Sequence, residues 1–154
     1  MDILTGRIVV GYDGSPQSCT AVDWAAGEAR RRGLPLVVLH AVDYLGLMPN
    51  VTGPSGWPAV FADDAAKIAP AGADRARDHV RGIQVTSLTQ ITGAARALVE
   101  ASKDAALLVV GTHGRSALPG ALSGSVAFAV TGHAHCSVVV VRGDSGRRAG
   151  PNRP

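Results

Sequence analysis

Aromatic residues are scarce in this chain: Phe, Trp and Tyr make up 4% of its 154 residues. A core assembled around rings is therefore excluded, and packing must come from Val, Leu, Ile and Ala, which a hydrophobic content of 46% allows. Cysteine is nearly absent. Cys19 and Cys136 stand far apart without metal-ligand spacing, so neither a disulfide framework nor a zinc module is indicated, and free thiols in a reducing cytoplasm are expected. The only lysines are Lys67 and Lys103, so there is no Gly-x-x-x-x-Gly-Lys-Ser/Thr loop, and no Gly-x-Gly-x-x-Gly follows the first apolar run. No apolar run reaches the ~18 residues that span a bilayer, and the N-terminus does not read as a signal peptide. The net charge of +3 is mild and partly carried by Arg147, Arg148 and Arg153 in the terminal "GDSGRRAGPNRP". Without a basic stripe interleaved with aromatics, a nucleic-acid partner is disfavoured. One domain over residues 1–143 and a solvated tail over 144–154 are expected.

What the sequence does have is alternation. "GRIVVGY" (6–12), "PLVVLHAV" (35–42), "IQVTSLTQI" (83–91), "ALLVVG" (106–111) and "SVVVVR" (137–142) read as strands. Between them lie helical segments. Ser15 can cap a helix that opens with Pro16 and stops at Gly33, with Arg30, Arg31 and Arg32 favouring its negative end. Its apolar face is predicted to carry Cys19, Val22, Ala26 and Ala29, with Trp24 off that stripe. Residues 63–80 are helical by composition, weakened by Pro70 and Gly72. Residues 94–103 and 125–133 form shorter helices. Continuous apolar strands alternating with helices imply an α/β fold, a parallel sheet covered on both faces. The Gly- and Pro-rich stretch before residue 63 is an aperiodic loop.

A five-stranded sheet of order 3-2-1-4-5 sets strands 1 and 4 side by side at the point where strand order reverses, and open parallel sheets bind ligands outside the carboxyl ends of such strands. Both ends carry suggestive residues. Asp13 follows the first strand, and its carboxylate suits ribose hydroxyls or an exocyclic amine, or else a local Asx turn. After strand 4 comes "GTHGRSALPGALSGS", in which Gly111 and Gly114 permit positive φ and close backbone approach. Gly124 and Ser125 open the last helix, whose free N–H groups favour an anion, with the Ser123 and Ser125 hydroxyls as added donors. Arg115 can neutralise phosphate charge or point to solvent. His113, His133 and His135 have no acidic or thiol cluster beside them, and Ser15 with His40 or His113 lacks a third orienting group, so neither a metal centre nor a hydrolytic triad is assigned.

The spacing Gly111, two residues, Gly114, nine residues, Gly124-Ser125 resembles the ATP-binding pattern of the universal stress protein family. "IVVGYDGSPQSCTAVDWAAGEARRRGLPLVVLHAV" is similar to the family's opening and "LLVVGTHGRSALPGALSGSVAFAVTGHAHCSVVVVR" to its close. The resemblance implies a Rossmann-like, flavodoxin-like three-layer sandwich and a nucleotide-dependent stress sensor or regulator. It implies that Asp13 contacts the adenosine, that Val42 holds adenine through its backbone, and that Val110 packs near the base. Gly111 and Gly114 would line the ribose and phosphate path; Gly124, Ser125 and Val126 would bind phosphates, with Ala127 beside them. Ala127 and Ser137 depart from the family, which often has Ser or Thr at the first position and Pro at the second. The ligand expected is ATP, or ADP, AMP or cyclic AMP, with Mg²⁺ held mainly by the phosphates. No general base or Walker lysine is evident, so at most slow ATP hydrolysis is expected. The apolar last strand, Ser137 to Val141, is an edge whose pairing across a two-fold would make a homodimer, as the resemblance also implies. A nucleotide-free dimeric interaction module is the alternative reading.

Overall fold

The computed structural model describes residues 3–43, 59–112 and 124–143, in the order β1 (Ile8–Gly11), α1 (Pro16–Arg32), β2 (Leu36–Ala41), α2 (Ala59–His79), β3 (Val85–Gln90), α3 (Ala94–Ala101), β4 (Leu107–Gly111), α4 (Ser125–His133) and β5 (Val138–Val141). The strands form one parallel sheet, as the alternation predicts, in the expected order β3-β2-β1-β4-β5. Central β1 pairs Val10 with Val38 of β2 on one side and with Val109 of β4 on the other.

Side chains alternate across these strands, and each face has its own core. Ile8, Val10, Leu36, Val38, Leu107 and Val109 pack under α1 and α2; Val9, Val37, Leu39, Leu108 and Val110 pack under α3 and α4. This sorting follows from chain direction. α1 and α2 carry the chain from β1 out to β3 across one face. α3 and α4 carry it back past β1 to β5 across the other, since parallel crossovers keep one hand. Strands β1, β2 and β4 are buried, whereas β3 and β5 are half-exposed edges.

α1 begins and ends where its sequence dictates. The Ser15 hydroxyl accepts from the Ser18 amide, Pro16 occupies the first turn, and Gly33 closes the helix at φ 66°. The buried face is wider than the four residues predicted: Ser18, Ala21, Val22, Ala25, Ala26 and Ala29 are buried, while Cys19 is half-exposed at its rim. α2 is longer than expected, and Pro70 does not end it. The reason lies in which face each residue takes. Ala65, Ala69, Gly72, Ala73 and Ala76 form the buried stripe, while Pro70 lies on the exposed face, where its missing N–H leaves a carbonyl that water can reach. At Gly72 the stripe is notched for a ring: a Cβ there would stand 2.6 Å from Tyr12 Cδ1 and 2.9 Å from Cγ.

Candidate functional site

The end of β1 is built as a rigid turn. Gly14 takes φ 81°, a conformation that glycine supplies without strain, and the Asp13-Gly14 pair signals it in sequence. The Ser15 amide donates to Asp13 Oδ1 at 2.9 Å, and the Asp13 amide donates to Ser18 Oγ at 3.3 Å. Asp13 therefore does perform the Asx role, through one carboxylate oxygen, while remaining half-exposed at the sheet's carboxyl edge. Tyr12 precedes it with its phenol oxygen 3.9 Å from Cys19 Sγ. Burial, reinforced by that thiol, raises the Tyr12 pKa, so the phenol stays neutral.

Three residues beyond the Val10–Val109 pair, the two central strands arrive at Asp13 and Thr112. Gly111, the last residue of β4, has a structural duty of its own. It is not at positive φ, contrary to one expectation for it. Close approach is what it provides: a Cβ would lie 3.0 Å from the Gln17 carbonyl oxygen and 3.1 Å from its carbon, in the first turn of α1. Val110 is 3% exposed and its side chain belongs to the core with Leu98 and Val130.

The start of α4 is tied to β4 through the Gly124 amide, which donates to the Thr112 carbonyl. Gly124 occupies the N-cap in extended backbone, φ −66° and ψ 152°, and as glycine has no side chain of its own to cap the helix. The Phe128 amide closes the first helical bond onto the Gly124 carbonyl, so the amides of Ser125, Val126 and Ala127 are the first-turn donors that a helix leaves without an intrahelical partner. Ser125 is exposed, Val126 half-buried, and Ala127 buried in the core at 3%. Ala127 therefore offers a backbone donor only. Beside β1, Val42 follows the last residue of β2 with its amide already donated to the Gln90 carbonyl at 2.8 Å. Of the predicted residues, Asp13, Gly111 and the Gly124–Ala127 turn gather at the β1/β4 switch point, and Val42 stands at the same end of the neighbouring strand. Gly114, Arg115, His113, Ser123 and the tail expected from residue 144 lie outside the described residues, as do residues 44–58 of the stretch over 43–62 expected to be a loop, whose residues 59–62 are helical instead.

Four residues with a part in this architecture were not singled out for it by sequence. Ser18 had a signal, the Ser-x-x-Ser spacing from Ser15. Gln17, Thr112 and His40 had none, because their roles rest on contacts between segments distant in sequence. His40 is 8% exposed, with Nδ1 2.8 Å from the Tyr12 carbonyl oxygen. Among the described residues no three His, Cys, Asp or Glu side chains group as a metal site, and no helix is long and apolar enough to cross a membrane.

Comparison with known proteins agrees with this architecture. The model of the universal stress protein family matches residues 5–142. Universal stress protein Rv2623 of Mycobacterium tuberculosis is 36% identical over 142 residues, covering 87% of this chain and 46% of the relative. Universal stress protein Rv2005c of the same organism is 33% identical over 141 residues, covering 89% and 48%. The chain thus spans about half the length of the curated relatives it matches. A universal stress protein solved in complex with cAMP is 28% identical with a TM-score of 0.66, covering 90% of this chain and 97% of that one.

Proposed function

Since this chain belongs to the universal stress protein family, we propose that it binds an adenine nucleotide at the carboxyl ends of β1 and β4 and serves as a nucleotide-dependent sensor or regulator of stress. The observation that carries this reading is the start of α4. A helix whose N-cap is glycine, with no side chain of its own to cap the first turn, is tied by that glycine's amide to the end of a central strand. Such a terminus favours a phosphate through its amides and dipole. Ser125, Val126 and Ala127 would supply backbone N–H groups, and the Ser125 hydroxyl one more. Gly124 would contribute by having no side chain, because its amide is already engaged.

Asp13 would accept from the ribose or the exocyclic amine while Oδ1 keeps its turn. Val42, with its amide spent on Gln90, would meet adenine through its carbonyl. Val110 and Gly111 would offer backbone beside the base and ribose, and Gly114 and Arg115 would extend the phosphate path. The cAMP complex of a relative supports the choice of an adenine nucleotide. ATP is the ligand proposed first, with Mg²⁺ held mainly by its phosphates. Native mass spectrometry of gently purified protein tests the reading: a retained mass of AMP, cAMP, ADP or ATP supports it. Bare protein that also takes up none of the four at millimolar concentration rejects it.

The proposal extends to assembly. β5 is an edge strand, and its Val140 is 36% exposed. Pairing Ser137–Val141 with the same strand of a second copy would satisfy the open backbone groups and cover that side chain. A homodimer in the cytoplasm is the form proposed.

A further inference from the structure

His40 has no part in the sheet's hydrogen-bond ladder through its side chain, yet its ring reaches from β2 to the turn that follows β1. Its Nδ1 lies 2.8 Å from the carbonyl oxygen of Tyr12. A carbonyl only accepts, so the proton of this bond resides on Nδ1. The carbonyl belongs to the peptide unit that links Tyr12 to Asp13. Tyr12 is otherwise held by its amide, which donates to the Leu39 carbonyl at 2.9 Å, and by its ring, seated in the Gly72 notch. The next residue carries the 2.9 Å bond from the Ser15 amide to Asp13 Oδ1.

We propose that His40 is a positioning residue for Asp13: its Nδ1–H fixes the plane of the Tyr12–Asp13 peptide, and with it the direction of the carboxylate at the mouth of the crevice. Rotation of that peptide would swing the Asp13 Cα–Cβ bond, and the carbonyl is the handle by which a neighbouring strand resists it. His40 also precedes by two residues Val42, which directly follows β2, so the end of one strand sets both ends of the adenosine subsite. The consequence for a ligand rests on the nucleotide reading above; the consequence for the turn does not.

The test separates the two. His40→Leu keeps volume and removes the donor; His40→Asn places an amide N–H near the Nδ1 position. Amide hydrogen exchange is followed at Ser15, which reports the Asp13 turn, and at Val38, which reports the core, and ATP affinity is measured by calorimetry. In His40→Leu, Ser15 is expected to exchange about tenfold faster and ATP to bind about tenfold more weakly, the worth of one buried hydrogen bond, with Val38 unchanged. His40→Asn is expected to restore both. Wild-type exchange at Ser15 in folded His40→Leu overturns the proposal. So does parallel loss of protection at Ser15 and Val38 that Asn fails to restore, the behaviour of a histidine that only fills the core. Should the Leu variant not fold, a folded Asn variant with an unprotected Ser15 overturns it equally. If Ser15 responds as expected but wild-type protein binds no adenine nucleotide, the positioning role stands and the nucleotide reading falls.

Discussion

The amide of Gly124 donates to the carbonyl of Thr112, so the last helix starts tied to the end of β4 rather than floating beyond it. Because φ is −66° and ψ 152°, any residue adopts the backbone of Gly124. Conformation does not demand glycine here; under the proposed nucleotide reading, room for a phosphate in front of the helix does. Gly124→Ser is therefore expected to keep or slightly raise the melting temperature, since serine is at least as good an N-cap. Gly124→Val should crowd the phosphate position and weaken ATP binding by roughly 10- to 100-fold, the loss of about 1.5–3 kcal/mol of charge-assisted hydrogen bonding. Thermal melts beside calorimetric titration check this. Wild-type affinity in folded Gly124→Val would mean that the segment is only a turn.

Gly72 faces the ring of Tyr12 with no space for a methyl group, 2.6 Å from Cδ1 and 2.9 Å from Cγ. Alanine in a helix interior ordinarily gains about 0.8–1 kcal/mol over glycine. Here the overlap reaches the ring's attachment carbon, so the whole side chain must move, at a cost of about 1–3 kcal/mol. Gly72→Ala is expected to lower stability despite its better propensity. Urea denaturation reads the sign directly, and a stabilised variant would show that the ring shifts freely.

These two glycines show where the sequence was legible. The α1 boundaries were written locally, in Ser15-Pro16 and Gly33, and a parallel sheet, though not its strand order, followed from apolar runs separated by helical segments. The stretch around Pro70 and Gly72 read as a weak helix because propensity sees the breakers but not the alanine stripe that packs or the ring that fills the notch. At the site, Asp13 and Gly124-Ser125 stood out by type and spacing. Gly111 was expected to permit positive φ and close backbone approach; only the second is used, and the neighbour that requires it, Gln17, lies far away along the chain. His40 against Tyr12 is likewise a contact between β2 and the turn after β1, invisible until the sheet is assembled.

Glu28 accepts from both Arg31 and Arg32, and these hydrogen bonds hold its carboxyl well below the usual value, at about 2. A depressed acid stabilises the fold above its unfolded value, and the contribution is lost as pH falls through the folded one. The window thus runs from the ordinary value of 4.5 down to about 2. The site is at the surface, so the effect is modest and shrinks with salt. Carboxyl NMR is expected to place the Glu28 midpoint near 2, moving toward the ordinary value in the Arg31→Ala/Arg32→Ala variant. An ordinary midpoint in the wild type would contradict the pairing.

Sedimentation at micromolar protein is expected to give a dimer, and Val140→Lys, which puts a charge on the β5 edge, a monomer. A wild-type monomer independent of concentration, or a dimer indifferent to Val140→Lys, would place the contact elsewhere or remove it.

Asp13 makes the most direct test, because one oxygen already serves the turn. Asparagine keeps an acceptor for the Ser15 amide and removes the charge. Titration of ATP into ¹⁵N-labelled wild type and Asp13→Asn, read residue by residue, asks both whether the nucleotide binds and where. The expected result is saturable shifts at Asp13, Val42, Val110, Gly111 and Gly124–Ala127, with affinity about tenfold weaker in Asp13→Asn and little change in melting temperature. No saturable shifts at millimolar ATP, or shifts confined to the opposite end of the sheet, would contradict it.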